Sequence, residues 1–358
     1  MNRPTIRDIA TAAGVSPAAA SFALNDRSGV SEATRERVKR IASDLNWTPN
    51  AAAVALSAGK SGAVGLVIAR PEESFTGERF FIHLIAGIER VLTARSRSLV
   101  LLFVDGVDEE MACYRRWWSE KRVDGVILTD PRADDPRPAL LDEIGLSAVY
   151  VGAQSDSTLP HVRVDDAAAM TRLVDHFADL GHTRLAHVCG SFDYVHTRRR
   201  VEVFASRCAT WGISVAPTVT TNYSEEAGRA MTQSLLSSPQ PPTGIIFDNE
   251  VLALGGLVAI LEAAVRIPED VAVASFEDSP LCRIVRPSIT ALVRDPAELG
   301  THATSLLLDL LDGREAAAVV APTMDLSIRG STDPRLGHSA AHVADVSEAR
   351  AATIREVR

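Results

Sequence analysis

From about residue 61 to residue 330, short apolar runs alternate with longer amphipathic runs, and this alternation constrains the fold more than any other feature. Continuous apolar runs of this length are typical of strands buried on both faces. The predicted strands are AVGLVIA (63–69), SLVLLFV (98–104), VDGVILT (123–129), SAVYVG (147–152), RLAHVC (184–189), TGIIF (243–247) and VAVASF (271–276). The predicted helices are 80–95, 108–121, 167–180, 197–211, 225–237 and 250–265. This order predicts an α/β fold of doubly wound parallel sheets.

Seven strand–helix units are more than one small doubly wound domain contains, so we predict two similar lobes. The N-lobe would span about 61–157 and 291–318, and the C-lobe about 158–290 and 319–330. Residues 331–358 are polar and rich in Ala, and we interpret them as a tail, either disordered or with a short helix near 344–357. Ligands of such folds bind at the carboxyl ends of the strands, in the crevice between lobes.

The first 48 residues predict three short helices instead. Gly14 ends the first helix, and Ser16 followed by Pro17 combines an N-cap with a residue suited to the first helical position. Ser31 begins a third helix with an apolar stripe on one face. Three helices with a Gly-containing turn predict a helix-turn-helix head, joined to the body by a linker at 49–60.

Charge and composition limit the function. Residues 1–60 hold eight Lys and Arg against five Asp and Glu, a net charge of +3, whereas residues 61–358 hold 29 against 41, a net charge of −12. A basic head on an acidic body indicates that the head meets a polyanion. No run is apolar enough to cross a bilayer and no secretory signal is visible, so we predict a cytoplasmic protein that does not enter membranes. Four scattered Cys predict buried thiols and no metal site.

Several stretches match a known family in order and spacing. The head TIRDIATAAGVSPAAASFALN, the strand KRVDGVIL, and the segment FDNEVLALGGLVAILEAAVRIPEDVAVASFED resemble those of the LacI/GalR family of transcriptional regulators. The resemblance covers roughly residues 5–330. It implies a homodimeric DNA-binding repressor or activator, with a periplasmic-binding-protein-like body, whose affinity for operator DNA depends on a small effector such as a sugar.

By this resemblance, Pro17, Ala18 and Phe22 face base edges in the major groove. None of them offers a hydrogen bond to a base, so we expect apolar contacts with thymine methyl groups, unless Phe22 belongs to the head core. Other positions would contact phosphates, although their side chains could also act only as helix caps. They are Thr5, Ser16, Ser21, Asn25, Ser31 and Thr34.

The linker TPNAAAVALSAGK resembles the family hinge. The resemblance implies that Asn50, Ala53 and Leu56 form a helix on DNA, with Leu56 wedged into the minor groove to kink a flexible base step. An Ala-rich run shorter than ten residues favours a helix that forms only on a partner. The alternative is an exposed linker with an ordinary Leu.

The resemblance also places an effector site in the cleft. Arg200 falls on an arginine that grips the effector with its planar fork, although it lies in a run with Arg198 and Arg199 that could be a solvated face. Aromatic and polar residues would complete a site for a polyhydroxyl compound, with core packing the alternative for Phe80 and Phe81. The full set is Phe80, Phe81, Tyr194, His196, Arg200, Tyr223, Asn249 and Glu277.

Two other classes of protein, an enzyme and a solute-binding sensor, fit the sequence less well. No G-x-G-x-x-G, phosphate-binding loop or nucleophile elbow is present, so we predict no catalytic residues, no cofactor and no enzyme activity. A solute-binding sensor without DNA function would share the body but would have no use for the head. Neither the effector nor the sign of its effect on DNA binding follows from the sequence.

Overall fold

The computed structural model describes residues 4–47, 60–71, 78–153 and 157–337. Internal contacts divide the chain into two compact units, Met1–Ser61 and Gly62–Arg358. We call the first unit the head and the second the body. None of the helices described here is long and apolar enough to span a membrane.

The head contains three helices, α1 (Ile6–Ala13), α2 (Pro17–Leu24) and α3 (Glu32–Asp44). Gly14 ends α1 in the left-handed conformation, with φ of 62°, which a glycine adopts without a Cβ penalty. The head core consists mainly of alanines around two larger side chains. Its buried members are Ile9, Ala10, Ala13, Ala20, Ala23, Val38 and Ala42.

The body alternates strands and helices, as the sequence predicts. Its strands are β1 (Ala63–Ala69), β2 (Ser98–Val104), β3 (Gly125–Leu128), β4 (Ser147–Val151), β5 (His161–Arg163), β6 (Arg184–Cys189), β7 (Ser214–Val215), β8 (Val219–Thr220), β9 (Gly244–Phe247), β10 (Ala272–Ser275), β11 (Thr290–Val293), β12 (Val319–Val320) and β13 (Asp325–Ser327). Its helices are α4 (Arg79–Ala94), α5 (Val107–Ser119), α6 (Arg137–Ile144), α7 (Asp166–Asp179), α8 (Val195–Trp211), α9 (Glu225–Leu236), α10 (Glu250–Glu262), α11 (Pro280–Ile284), α12 (Pro296–Leu311) and α13 (Pro334–Gly337).

The strands form two sheets. The first has the order β12-β5-β4-β3-β1-β2, and the second has the order β13-β11-β10-β9-β6-β7, with β8 also pairing with β6. All pairs are parallel except β11 with β13. The central strands β1, β3, β9 and β10 are buried almost throughout, which explains why they appear in the sequence as continuous apolar runs. The predicted α/β fold is confirmed.

The expected lobe boundaries require correction. Strand β5 pairs with β4 and β12 pairs with β5, so residues 161–163 and 319–320 belong to the first sheet rather than to the C-lobe. Strand β11 pairs with β10, so residues 291–293 belong to the second sheet rather than to the N-lobe. These strands have two to four residues, too few to show a pattern in the sequence, and their place is fixed only by the backbone hydrogen bonds.

The expected tail also begins too early. Ser331 and Thr332 are buried, and Ser331 Oγ donates to the Val273 carbonyl at 2.6 Å and accepts from the Thr290 amide at 2.8 Å. A polar side chain that bridges two strands belongs to the body. The helix expected near 344–357 lies outside the described residues.

Candidate functional site

One exposed face of α2, formed by Pro17, Ala18 and Phe22, is apolar, and we call it the reading face. Ala18 and Phe22 lie four residues apart and therefore on one face of α2, while Ala20 and Ala23 on the opposite face are buried. The Phe22 side chain is 39% exposed and packs against Gly29, so it does not belong to the head core. With Pro17 also exposed, this surface presents carbon atoms without hydrogen-bonding side chains.

Three of the expected phosphate-contacting residues are helix N-caps. Thr5 Oγ1 accepts from the Asp8 amide at 3.4 Å, within a capping box, and Ser16 Oγ accepts from the Ala19 amide at 3.1 Å. Ser31 Oγ accepts from the Thr34 amide at 3.3 Å. All three cap residues are exposed at the positive end of a helix, where a hydroxyl that accepts as a cap keeps its own proton to donate, although that of Thr5 already donates to Asp8 at 2.7 Å.

The remaining expected DNA contacts divide into three groups. Thr34 lies in the first turn of α3, where its Oγ1 is 2.9 Å from Ser31 Oγ. Ser21 and Asn25 lie on α2 and at its end, where Asn25 Nδ2 donates to the Ser21 carbonyl at 2.9 Å. Asn50, Ala53 and Leu56 lie outside the described residues, as does the linker that contains them.

In the body, polar side chains collect in one cleft at the carboxyl ends of both sheets. Arg70 follows β1, Asp130 comes shortly after β3, Asp248 follows β9 and Arg294 follows β11. The carboxyl ends of parallel strands are where α/β folds bind ligands. The cleft also contains six of the eight expected effector residues. They are Phe80, His196, Arg200, Tyr223, Asn249 and Glu277.

Arg200 lies at the centre of an ion-pair network. Its side chain is 5% exposed, its Nε donates to Asp166 at 2.9 Å, and its NH1 lies 3.4 Å from Asp248. Asp248 also accepts from His187 Nε2 at 2.9 Å and from the Gly190 amide at 3.0 Å. Burial alone would raise the pKa of Asp248, but Arg200 and His187 hold it below the usual range. Arg198 and Arg199 are exposed, so only Arg200 of the three faces the cleft.

An aromatic group forms one wall. The Tyr223 hydroxyl lies 3.0 Å from both His196 Nε2 and Thr197 Oγ1, and a Cβ at Gly190 would collide with the Tyr223 ring. Tyr223 has φ of 67°, a conformation that a non-glycine residue rarely adopts and that concentrates at functional sites. Burial, with Arg200 nearby, lowers the pKa of His196 to about 4, so this imidazole is neutral at pH 7.

Arg70, which is not among the residues expected from the sequence, is 5% exposed. Its guanidinium pairs with both Asp130 oxygens at 2.7 Å and with Glu78 at 2.8 Å. Three rings surround it at about 5 Å. They belong to Phe81, Tyr194 and Tyr223.

Two of the expected residues, Phe81 and Tyr194, therefore support Arg70 and do not line the cleft in the part of the chain that is described. Phe81 is 1% exposed and belongs to the body core, which is the alternative that the sequence left open for it. Tyr194 stacks on His196, with ring centroids 5.4 Å apart.

The opposite wall contains Asn249 and Glu277, and Glu250, the residue after Asn249, is buried close to them without lining the cleft among the described residues. Asn249 caps α10, with Oδ1 accepting from the Leu252 amide at 2.9 Å, while its Nδ2 is buried without a partner among the described residues. Glu277 pairs with Arg294 through both of its oxygens, one of them 3.0 Å from Nε, and the Arg294 guanidinium lies 4.8 Å from the Phe80 ring. This wall thus offers one free amide donor beside an ion pair.

The free space in the cleft is about 50 Å³. This volume accommodates a few water molecules, whereas sites for drug-sized ligands enclose roughly 300–1,000 Å³. A ligand as large as a sugar ring therefore requires the walls to separate or the side chains to rearrange.

Several cleft residues were missed by sequence reasoning, although a signal for them exists. Each of four is the first or second charged residue after a buried strand, namely Arg70, Asp130, Asp248 and Arg294. Reading the residue that follows each apolar run would have found them. Glu78 and Asp166 precede or begin helices and show no comparable signal.

A helix-turn-helix unit and a two-sheet α/β unit with a polar cleft in one chain define a class, the ligand-responsive DNA-binding regulators. Among the described residues, no group of three or more His, Cys, Asp or Glu side chains is arranged to hold a metal ion.

Comparisons with known proteins give the family. Residues 5–50 match the bacterial regulatory proteins of the lacI family, and residues 174–332 match the periplasmic binding protein-like domain. The chain is 28% identical over 324 residues to the HTH-type transcriptional regulator CelR of Thermobifida fusca, covering 88% of this chain and 94% of that protein.

Comparisons with solved structures indicate the same family. A LacI-family transcriptional regulator from Bifidobacterium animalis subsp. lactis is similar with 31% identity and a TM-score of 0.69, covering 76% of this chain and 98% of that one. The complex of the regulator CelR with cellobiose is similar with 26% identity and a TM-score of 0.70, covering 92% and 100%. The chain belongs to the LacI family of bacterial transcriptional regulators, as its sequence motifs indicate, and its head is the DNA-binding domain.

Proposed function

We propose that this protein is a cytoplasmic repressor that binds operator DNA as a homodimer and responds to a polyhydroxyl effector, such as a sugar, bound in the body cleft. The observation that carries the proposal is the position of Arg200 and Asn249, two buried donors that face one polar cleft at the carboxyl ends of the strands. A solved structure of a relative of similar length, CelR, is its complex with cellobiose.

The head would read DNA through shape and apolar contact. Exposed Ala18 and Phe22 would pack on thymine methyl groups, and the capped helix ends at Ser16 and Ser31 would face phosphates. Asn50, Ala53 and Leu56 would form the hinge contacts that kink the operator centre.

A second copy of the chain would cover exposed apolar side chains on the body. Ile82 is 61% exposed, Leu261 58% and Ile284 67%, so each has apolar surface that a partner subunit could bury. Sedimentation of the wild type against Ile284→Glu tests this point. We expect a dimer for the wild type and a shift toward monomer for the variant.

Effector binding would change the separation of the cleft walls. An effector alters DNA affinity only through its different affinity for the two arrangements. Catalysis is not part of this proposal, because the cleft side chains form closed ion pairs rather than an activated nucleophile.

The test is a DNA-binding assay with matched arginine variants. Binding to the DNA upstream of the protein's own gene is measured with and without a panel of sugars. We expect Arg200→Lys to retain DNA binding and lose the response to the active sugar, because lysine lacks the planar fork. The exposed Arg199→Lys serves as the control and should respond like the wild type. A protein that binds sugars but no DNA fragment would be a solute-binding sensor instead.

A further inference from the structure

Glu250, the first residue of α10, is a buried carboxylate without a cation. Its side chain is 2% exposed, and its Oε1 accepts from the backbone amide of Arg79 at 3.2 Å. Within the described ranges, no Lys, Arg or His lies at ion-pair distance from it. Charged side chains that are this deeply buried are almost always paired.

The arginines of the cleft cannot provide the missing partner. Arg70 pairs with Asp130 and Glu78, Arg200 with Asp166 and Asp248, and Arg294 with Glu277. Three guanidinium groups thus face five carboxylates before Glu250 is counted. An effector carboxylate or phosphate would find every guanidinium already occupied.

The excess of carboxylates over guanidinium groups lies close to Glu250. Burial raises the pKa of Glu250 to about 8, and the charges of Glu78 and Glu277 raise it further in the same direction. Burial also raises the pKa of Glu78 to about 7, with Arg70 opposing. A positive charge placed among these three carboxylates would be favoured by all of them.

Asn249 provides a second, independent observation. Its side chain is 1% exposed and lines the cleft, and its Nδ2 donates to no atom of the residues that the structure describes. A buried donor without a partner costs free energy unless a ligand accepts from it. A donor directly beside a carboxylate suits a ligand with a hydroxyl oxygen next to a positively charged nitrogen.

We infer that the effector is an amino-bearing polyhydroxyl compound whose protonated amine pairs with Glu250 while a neighbouring hydroxyl accepts from Asn249 Nδ2. This inference deepens the proposed function and rests on the cleft being the effector site. An effector of this kind excludes neutral sugars, which would leave Glu250 without a cationic partner, and sugar acids, which would bring a further negative charge to the carboxylates of the cleft.

The test compares probes that differ in one group. The melting temperature of the full-length protein is measured with D-glucosamine, the glucosamine disaccharide, D-glucose, cellobiose, N-acetyl-D-glucosamine, D-glucuronate and ammonium chloride at equal concentration and ionic strength. We expect at least one of the two amino sugars to raise the melting temperature by several degrees, since a ligand that binds only the folded state stabilises it. The matched neutral, acetylated and acidic probes should not.

Variants assign the effect to Glu250. Glu250→Gln should abolish the shift, Glu250→Asp should retain a smaller one, and the exposed Glu226→Gln on α9 should behave like the wild type. The inference is overturned if neither amino sugar shifts the wild type, if a neutral or acidic probe shifts it as much, if ammonium alone suffices, or if Glu250→Gln keeps the shift. Release of operator DNA by a neutral sugar would overturn this inference but support the proposed function, whereas absence of DNA binding would contradict the proposed function itself.

Discussion

The reading face of the head and the cleft of the body present opposite kinds of side chain. On α2 the exposed side chains Pro17, Ala18 and Phe22 offer only carbon, whereas the cleft brings together three guanidinium groups and five carboxylates. Under the proposed function, the head would read DNA by shape and apolar contact, and the body would recognise its ligand by charge. The difference extends to stability, because the head core is largely alanine and the body core is built from Leu, Ile, Val and Phe.

The largest effect on stability is expected when Arg200, a residue of the charged cleft, is replaced. In Arg200→Met, Asp166 and Asp248 lose their guanidinium partner while remaining buried. Leaving a buried charge unpaired costs about 3–5 kcal/mol. We expect the free energy of unfolding, measured by urea denaturation, to fall by about this amount, and Arg199→Met to change it by less than roughly 0.5 kcal/mol. A small effect for Arg200→Met would mean that the network is not a structural element of the body.

The head should respond to loss of its largest core side chain. Ile9 is fully buried among alanines, so Ile9→Ala should lower the stability of the head by about 2–4 kcal/mol. We expect DNA affinity to be lost while the ligand-induced shift in melting temperature remains. The exposed Leu45→Ala is the control. Loss of ligand binding together with DNA binding would contradict the separation of the two units.

A smaller effect with a defined pH dependence is expected at Glu250. Its folded pKa of about 8 lies above the ordinary 4.5, so the unfolded chain releases its proton first as pH rises. Stability is therefore lost between about pH 4.5 and 8. Glu250→Gln removes this loss, and we expect a gain on the order of 2 kcal/mol at pH 8 and little change at pH 5. Glu78, whose pKa burial raises to about 7, titrates in both proteins. An equal effect at both pH values would contradict the assignment.

The smallest effect concerns thymine methyl groups. Replacing thymine by uracil removes one methyl group per base, worth roughly 0.8 kcal/mol, or about fourfold in affinity, where that methyl contacts the protein. We expect this loss for the wild type, measured by fluorescence anisotropy, and a reduced loss for Phe22→Ala. Unchanged affinity of the wild type for uracil-containing operator would remove the methyl-contact hypothesis.

The sequence predicted the alternating elements well and the site only in part. The strands of β1, β3, β9 and β10 are continuous apolar runs, and Ser16-Pro17 fixes the start of α2. The short strands β5 and β12 could not be placed, because two or three residues carry no periodicity and their pairing is decided by distant chain segments.

Within the cleft, family resemblance identified Arg200 and Asn249 but could not foresee Arg70. Its aromatic surroundings come from three separate elements that only the fold brings together. The absence of a cation at Glu250 likewise depends on the positions of every neighbouring arginine, which a linear pattern does not contain.

The central claim is that a ligand in the body cleft controls the affinity of the head for DNA. It is tested most directly by the affinity of the full-length protein for a specific DNA fragment over bulk competitor, with and without a compound that raises its melting temperature. We predict preferential binding and a change of at least roughly fivefold on adding that compound, which corresponds to about 1 kcal/mol of coupling. Binding without preference, or the same affinity with and without a compound that binds the cleft, would contradict the account.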